Sequence, residues 1–297
     1  MIALLRGSHA VMDFDDQAQL DGSQVENRGR GGIPGGGLAV GGGAAGIIAL
    51  IVALVFGFDI GGLTGGGGAE NPGVQPSSGN LSEKCQKGTD ADQDEQCRVV
   101  GVVNSLQDYW ATKVDGYQPA KTALFEQGVQ TECGAAESAV GPFYCPVDRY
   151  VYLDLSFFNQ LESQLGAKNT PFAQAYVIAH EYGHHVQNLT GTLEQSGGEG
   201  AESGSVRVEL QADCYSGVWA KNAVDTGFFA KPFTDADIQE ALAAASAVGD
   251  DSIQQKSGGQ VNPDAFTHGT SEQRVTWFTN GYKSGDPARC DTFSGSI

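Results

Sequence analysis

"AYVIAHEYGHHVQNL" (residues 175–189) carries two histidines four positions apart, with a glutamate directly after the first. On an α-helix, residues four apart lie one above the other on the same face. His180 and His184 can therefore present two imidazoles to a single ion. Glu181 is turned by about 100° from His180, which aims it at a water beside that ion rather than at the ion. Water-activating zinc centres need this arrangement. His185 points about 100° away from His184 and reads as a packing or solvent-facing residue.

The flanks support a helix. Thr170 stands at the N-cap position, Pro171 at the first helical position, and Gly191 just past the end. Further out, residues 97–110 ("CRVVGVVNSLQDYW"), 206–224 ("VRVELQADCYSGVWAKNAV"), 234–249 (opened by Thr234, stopped by Gly249) and 270–281 (closing at Gly281) also have helical spacing. Residues 149–158 ("RYVYLDLSFF") alternate as a short strand. Residues 192–205 form a polar Gly/Ser/Glu loop. The unit reads as α+β and mainly helical, with a small sheet.

A catalytic zinc needs a third protein ligand and an open position. The metzincin extension would require glycine at position 187 and histidine at 190. Gln187 and Thr190 occupy those places, which excludes that class. Downstream acids are Glu194, Glu199 and Glu202 in the polar loop, and Glu209 and Asp213 on a helix, where packing can fix a ligand. Asp213, one turn beyond Glu209, can accept the outer ring N–H of a zinc-bound histidine. His268 is the competing third ligand.

The chain has 297 residues and a net charge of −19, a balance that argues against a nucleic-acid partner. Residues 1–37 are polar and glycine-rich and are expected to form a disordered cytoplasmic leader, with Met12 as an alternative start. Residues 38–58 carry no charge and are long enough for one transmembrane anchor. Arg28 and Arg30 precede this stretch and no Lys or Arg follows it until Lys84, so the N-terminus is expected in the cytoplasm and the bulk of the chain outside. Residues 59–84 read as a flexible linker, and residues 85–297 as the folded domain. All six cysteines follow the apolar stretch, as suits an oxidising compartment. Spacing favours Cys85 with Cys97 and Cys133 with Cys145, leaving Cys214 with Cys290.

The combination of "HEYGHHVQ", "ELQADCYSGVW", "FTHGTSEQRV", "GPFYCPVD" and "YLD" closely resembles the bacterial family called putative neutral zinc metallopeptidases, membrane-anchored proteins. The likeness spans nearly the whole chain from Met12. It implies a zincin-like metallopeptidase domain holding one zinc ion. Together with the more distant gluzincins of the CAAX-prenyl-protease type, it also implies Glu209 as third ligand, Asp213 in support, His268 donating to an oxyanion and Arg274 bracing the site. Those relatives usually carry proline after this histidine, whereas Gly269 follows here.

The expected activity is a single-pass membrane endopeptidase working outside the cytoplasm on a peptide or protein. Glu181 serves as its general base, and residues 141–155 as an edge strand for substrate. The alternative is a non-catalytic zinc-containing assembly module of the cell envelope, and a zinc hydrolase of cell-wall amides stands behind it.

Overall fold

A computed structural model describes residues 12–31 and 80–297. In chain order the regular elements are β1 (Val25–Gly31), α1 (Leu81–Lys84), α2 (Gly88–Gln93), α3 (Glu95–Ala111), β2 (Lys121–Thr131), β3 (Gly134–Glu137), β4 (Phe143–Cys145), β5 (Tyr150–Leu153), α4 (Ser156–Leu165), α5 (Pro171–Thr190), α6 (Gly204–Asn222), α7 (Asp235–Ala247), α8 (Asp250–Lys256) and α9 (Ser271–Ser284). The result is mainly helical with a small mixed sheet.

Helix α5 runs through the middle. Its side chains from Phe172 to Gln187 are buried apart from Val177, which is partly covered. Small residues such as Ala173, Ala175 and Ala179 allow close neighbours on several faces. Helix α6 packs along one side and α9 packs on α6. A Cβ built on Gly281 or Gly217 would collide with the facing backbone at Cys214 or Phe278, so the α6–α9 contact depends on bare glycine.

The sheet has the order β1-β2-β5-β4, with β3 pairing the far end of β2. β1 and β5 both run parallel to β2, with Val25 opposite Thr122 and Lys121 opposite Tyr150. β4 pairs only with β5 among the described residues, antiparallel, with Phe143 opposite Tyr152. It is therefore a sheet edge. Disulfides join Cys85 to Cys97, Cys133 to Cys145 and Cys214 to Cys290. The last closes a long loop and contributes roughly 4 kcal/mol by constraining the unfolded chain.

Two expected boundaries change. Residues 12–31 are not a disordered leader: Met12, Phe14 and Val25 are buried in the main core and β1 extends the sheet. Their polar composition hid this, because partners distant in the sequence supply the apolar surface. The linker also ends earlier than expected, since α1 is capped by Asn80 and buries Leu81. The expected transmembrane stretch, residues 38–58, lies outside the described residues. No described helix is long and apolar enough to cross a membrane.

Candidate metal centre

Helix α5 is the platform of the site. Thr170 accepts a hydrogen bond from the Ala173 N–H (3.2 Å), and Gly191 ends the helix in the left-handed region at φ 77°. Helix α6 crosses it at Gly183. A Cβ at that position would stand 2.9 Å from the Ala212 Cα, so the two backbones approach only because the side chain is a hydrogen. That approach carries Glu209 and Asp213 to the histidines. His180 Nε2 lies 3.0 Å from Glu209 Oε2, and His184 Nε2 lies 3.4 Å from Glu209 Oε1. Ligand atoms of His180, His184 and Glu209 fall within 4.8 Å of one another, and no other described group of three does so.

The outer ring nitrogens are held by fixed acceptors. A carboxylate only accepts, so His180 Nδ1 donates to Asp213 Oδ1 at 2.9 Å. Gln187 gives its amide protons to Val208 O (2.7 Å) and Gln211 Oε1 (3.0 Å). Its own Oε1 then accepts from His184 Nδ1 at 2.8 Å. Both rings thus turn Nε2 toward the cluster, the usual setting of ligand histidines. Asp213 is itself clamped. Arg274 donates to its Oδ2 (2.8 Å) and Oδ1 (3.0 Å), and the Tyr176 hydroxyl donates to Oδ1 (2.6 Å).

Burial works against the charges here, and partners overrule it at most positions. It raises the Asp213 carboxyl, but Arg274 and His180 hold it down at about 2. It opposes charge on His180, but Asp213 and Glu209 raise the imidazole to about 10. Burial also acts against ionised Glu209, which the histidines keep well below the ordinary carboxylate range. Glu181 is the exception: burial raises its carboxyl, and the nearby histidines offset this only in part.

The donor set fits a zinc ion. Two imidazoles and one carboxylate are a known catalytic ligand set, and they leave a fourth position open. Glu181 Oε2 and His184 Nε2 are buried with no hydrogen-bond partner. Such orphans cost about 1–3 kcal/mol each unless something meets them. An ion at the cluster would take the histidine lone pair, and a water beside it would meet the carboxylate.

His268 is buried in the loop between α8 and α9, near enough to Glu209 for its charge to favour the ionised carboxylate. Its Nδ1 is held by Thr267 Oγ1 (3.0 Å) and Asp250 Oδ1 (3.3 Å). Asp250 Oδ2 also accepts the backbone N–H groups of Thr267 (2.7 Å), His268 (2.7 Å) and Gly269 (3.0 Å). Gly269 has φ 86°, a conformation closed to proline, so the departure from the relatives' pattern goes with the local backbone. His185 is fully buried rather than solvent-facing: Tyr144 Oη donates to its Nδ1 (3.0 Å) and its Nε2 donates to Gln118 O (2.7 Å). It ties α5 to the edge strand β4. Of the loop acids, Glu202 instead pairs with Arg207 (2.7 Å), and neither Glu194 nor Glu199 joins the cluster.

Sequence reasoning passed over Asp250, Tyr176 and Gln187. Tyr176 stands four residues before His180 and Gln187 three after His184, so helical spacing could have found both. Asp250 acts through backbone amides 17 to 19 positions away, for which a single sequence holds no spacing signal.

A family model described as "Putative neutral zinc metallopeptidase" matches residues 12–293. The uncharacterized protein Rv2575 of Mycobacterium tuberculosis is 52% identical over 221 residues, covering 72% of this chain and 75% of its own length. The uncharacterized protein YpfJ of Escherichia coli K12 is 40% identical over 300 residues, covering 95% and 99%. No solved structure matches. The matched span contains every element that builds the cluster, from β1 to α9, and the chain belongs to this family of putative neutral zinc metallopeptidases.

Proposed function

We propose that the protein is a zinc-dependent endopeptidase that hydrolyses peptide bonds outside the cytoplasm. His180, His184 and Glu209 hold one zinc ion, and Asp213 fixes the His180 ring. Zinc at this position supplies Lewis acidity, polarising a carbonyl and lowering the pKa of a water to about 7.

The observation that carries the reading is the Glu181 carboxylate. It is buried near His180, His184 and Glu209, its Oε2 has no hydrogen-bond partner, and burial raises its pKa. A site that only held an ion for structure would gain nothing from such a group. Glu181 takes the proton of the attacking water and returns it to the leaving amine. His268, its ring held through Nδ1 by Thr267 and Asp250, donates a hydrogen bond to the oxyanion, and Arg274 keeps Asp213 in place. The free edge of β4 accepts an extended peptide by strand addition, and His185 and Asn188, both bonded to the Tyr144 hydroxyl, hold that edge against α5. Three disulfides support an oxidising compartment.

Cleavage of a broad peptide library by wild type and Glu181→Gln tests this reading. The variant should keep its zinc and lose about 10²–10⁴-fold in rate, the size of a general-base contribution. Absence of cleavage by the zinc-loaded wild type would favour a non-catalytic assembly module instead.

A further inference from the structure

Residues 12–31 are joined to the catalytic unit by contacts independent of the metal centre. Phe14 is buried against Phe229, with ring centroids 4.8 Å apart. A methyl group on Gly101 of α3 would strike the Phe14 ring. The Asp15 N–H donates to Phe228 O (2.9 Å), the Ala230 N–H to Asp13 O (3.0 Å) and the Leu20 N–H to Gln86 O (2.9 Å). The Asp21 N–H donates to Asn104 Oδ1 at 2.8 Å. β1 then pairs with β2, and the Arg28 guanidinium lies 4.7 Å from the Tyr150 ring centre and 5.3 Å from that of Tyr152. Arg28 is one of the two charges that point the N-terminus toward the cytoplasm under the positive-inside rule. In the fold it is committed to the aromatic face of the sheet.

These contacts conflict with a single crossing by residues 38–58. One crossing between β1 and α1 would put residues 12–31 and 80–297 on opposite faces of a bilayer. Strand pairing and ring packing need direct contact, and neither reaches across about 30 Å of hydrocarbon. Two helical crossings would need about 40 apolar residues, roughly twice the uncharged stretch. We infer that residues 12–31 and the peptidase unit occupy the same compartment. Residues 12–31 are on this view a working part of the catalytic unit and not a cytoplasmic tail. The same argument holds whether β1 pairs within its own chain or with a second copy.

The test reads sidedness alone, so its failure is distinct from failure of the zinc-peptidase reading. All native cysteines are in disulfides, so an introduced cysteine is the only free thiol. Gln17→Cys and Ser257→Cys, each at an exposed position in the full chain, are treated with a membrane-impermeant maleimide in intact spheroplasts and again after detergent. Asp16→Cys repeats the N-terminal reading at a second exposed position. The expected result is equal labelling of all three in intact spheroplasts, with no rise after detergent. Labelling of all three only after detergent would keep the shared compartment and overturn its placement outside the cytoplasm. Labelling of Ser257→Cys in intact spheroplasts, with both N-terminal cysteines reacting only after detergent, would overturn the inference.

Discussion

Asp213 shows how the candidate metal centre is held at the scale of single residues. It is fully buried and accepts from His180, Arg274 and Tyr176 together. Asp213→Asn keeps the shape and removes the charge, leaving the Arg274 guanidinium buried without its counter-ion. Breaking a buried pair in this way costs about 3–5 kcal/mol, so thermal melts of the metal-free protein at pH 7 should show a large drop in Tm. The sign of the pH effect follows from the folded-state value of about 2 against an ordinary 3.8. A depressed carboxyl stabilises the fold above its unfolded pKa and loses that contribution as pH falls through the folded one. The gap between wild type and variant should close as pH falls from the ordinary carboxyl value of 3.8 toward 2. An unchanged gap at low pH would remove the ion pair from the account. At this scale the sequence was most legible where chemistry rides on helical spacing, as for His180, Glu181 and His184. It was silent on Asp250, whose partners are main-chain amides of a distant loop.

At the scale of elements, the crossing of α5 and α6 at Gly183 decides whether Glu209 can reach the histidines. Gly183→Ala places a methyl group against the Ala212 backbone, which cannot swing aside as a flexible side chain can. The helices must part by some tenths of an ångström, lengthening the 3.0 Å approach of Glu209 to His180. Competition with a chelator should show zinc affinity lowered about 10–100-fold, like the loss of a supporting partner, with about 1–3 kcal/mol of overpacking strain. Wild-type zinc affinity in Gly183→Ala would show that the crossing has slack. The ends of α5 were readable because Thr170, Pro171 and Gly191 each act locally. Sequence spacing ends α9 at Gly281, yet the helix continues to Ser284 and is closed by Gly285 at φ 62°. Gly281 is there to let α9 touch Cys214 of α6. A glycine that serves packing and a glycine that serves a turn look alike until the neighbouring helix is known.

At the scale of the molecule, residues 12–31 bind the sheet and helices into one unit. Phe14→Ala should cost about 3–5 kcal/mol, as for other buried Phe truncations, and a denaturant melt should show a lower midpoint with an unchanged slope. A variant as stable as wild type would detach this segment from the core. Its role was hidden in the sequence because polar strands and short apolar contacts gain their meaning from Phe229, Gly101 and β2, all far along the chain. The proposed metal centre likewise depends on the whole fold, since α5 and α6 supply its candidate ligands while α9 and the His268 loop pack around them. Zinc content of the full-length protein, measured for wild type and Glu209→Ala after equilibration with a chelator, tests the central claim most directly. The account predicts one zinc per chain in the wild type and its loss from Glu209→Ala. Wild-type protein that takes up no zinc, or a variant that holds it as tightly, would contradict the proposed centre.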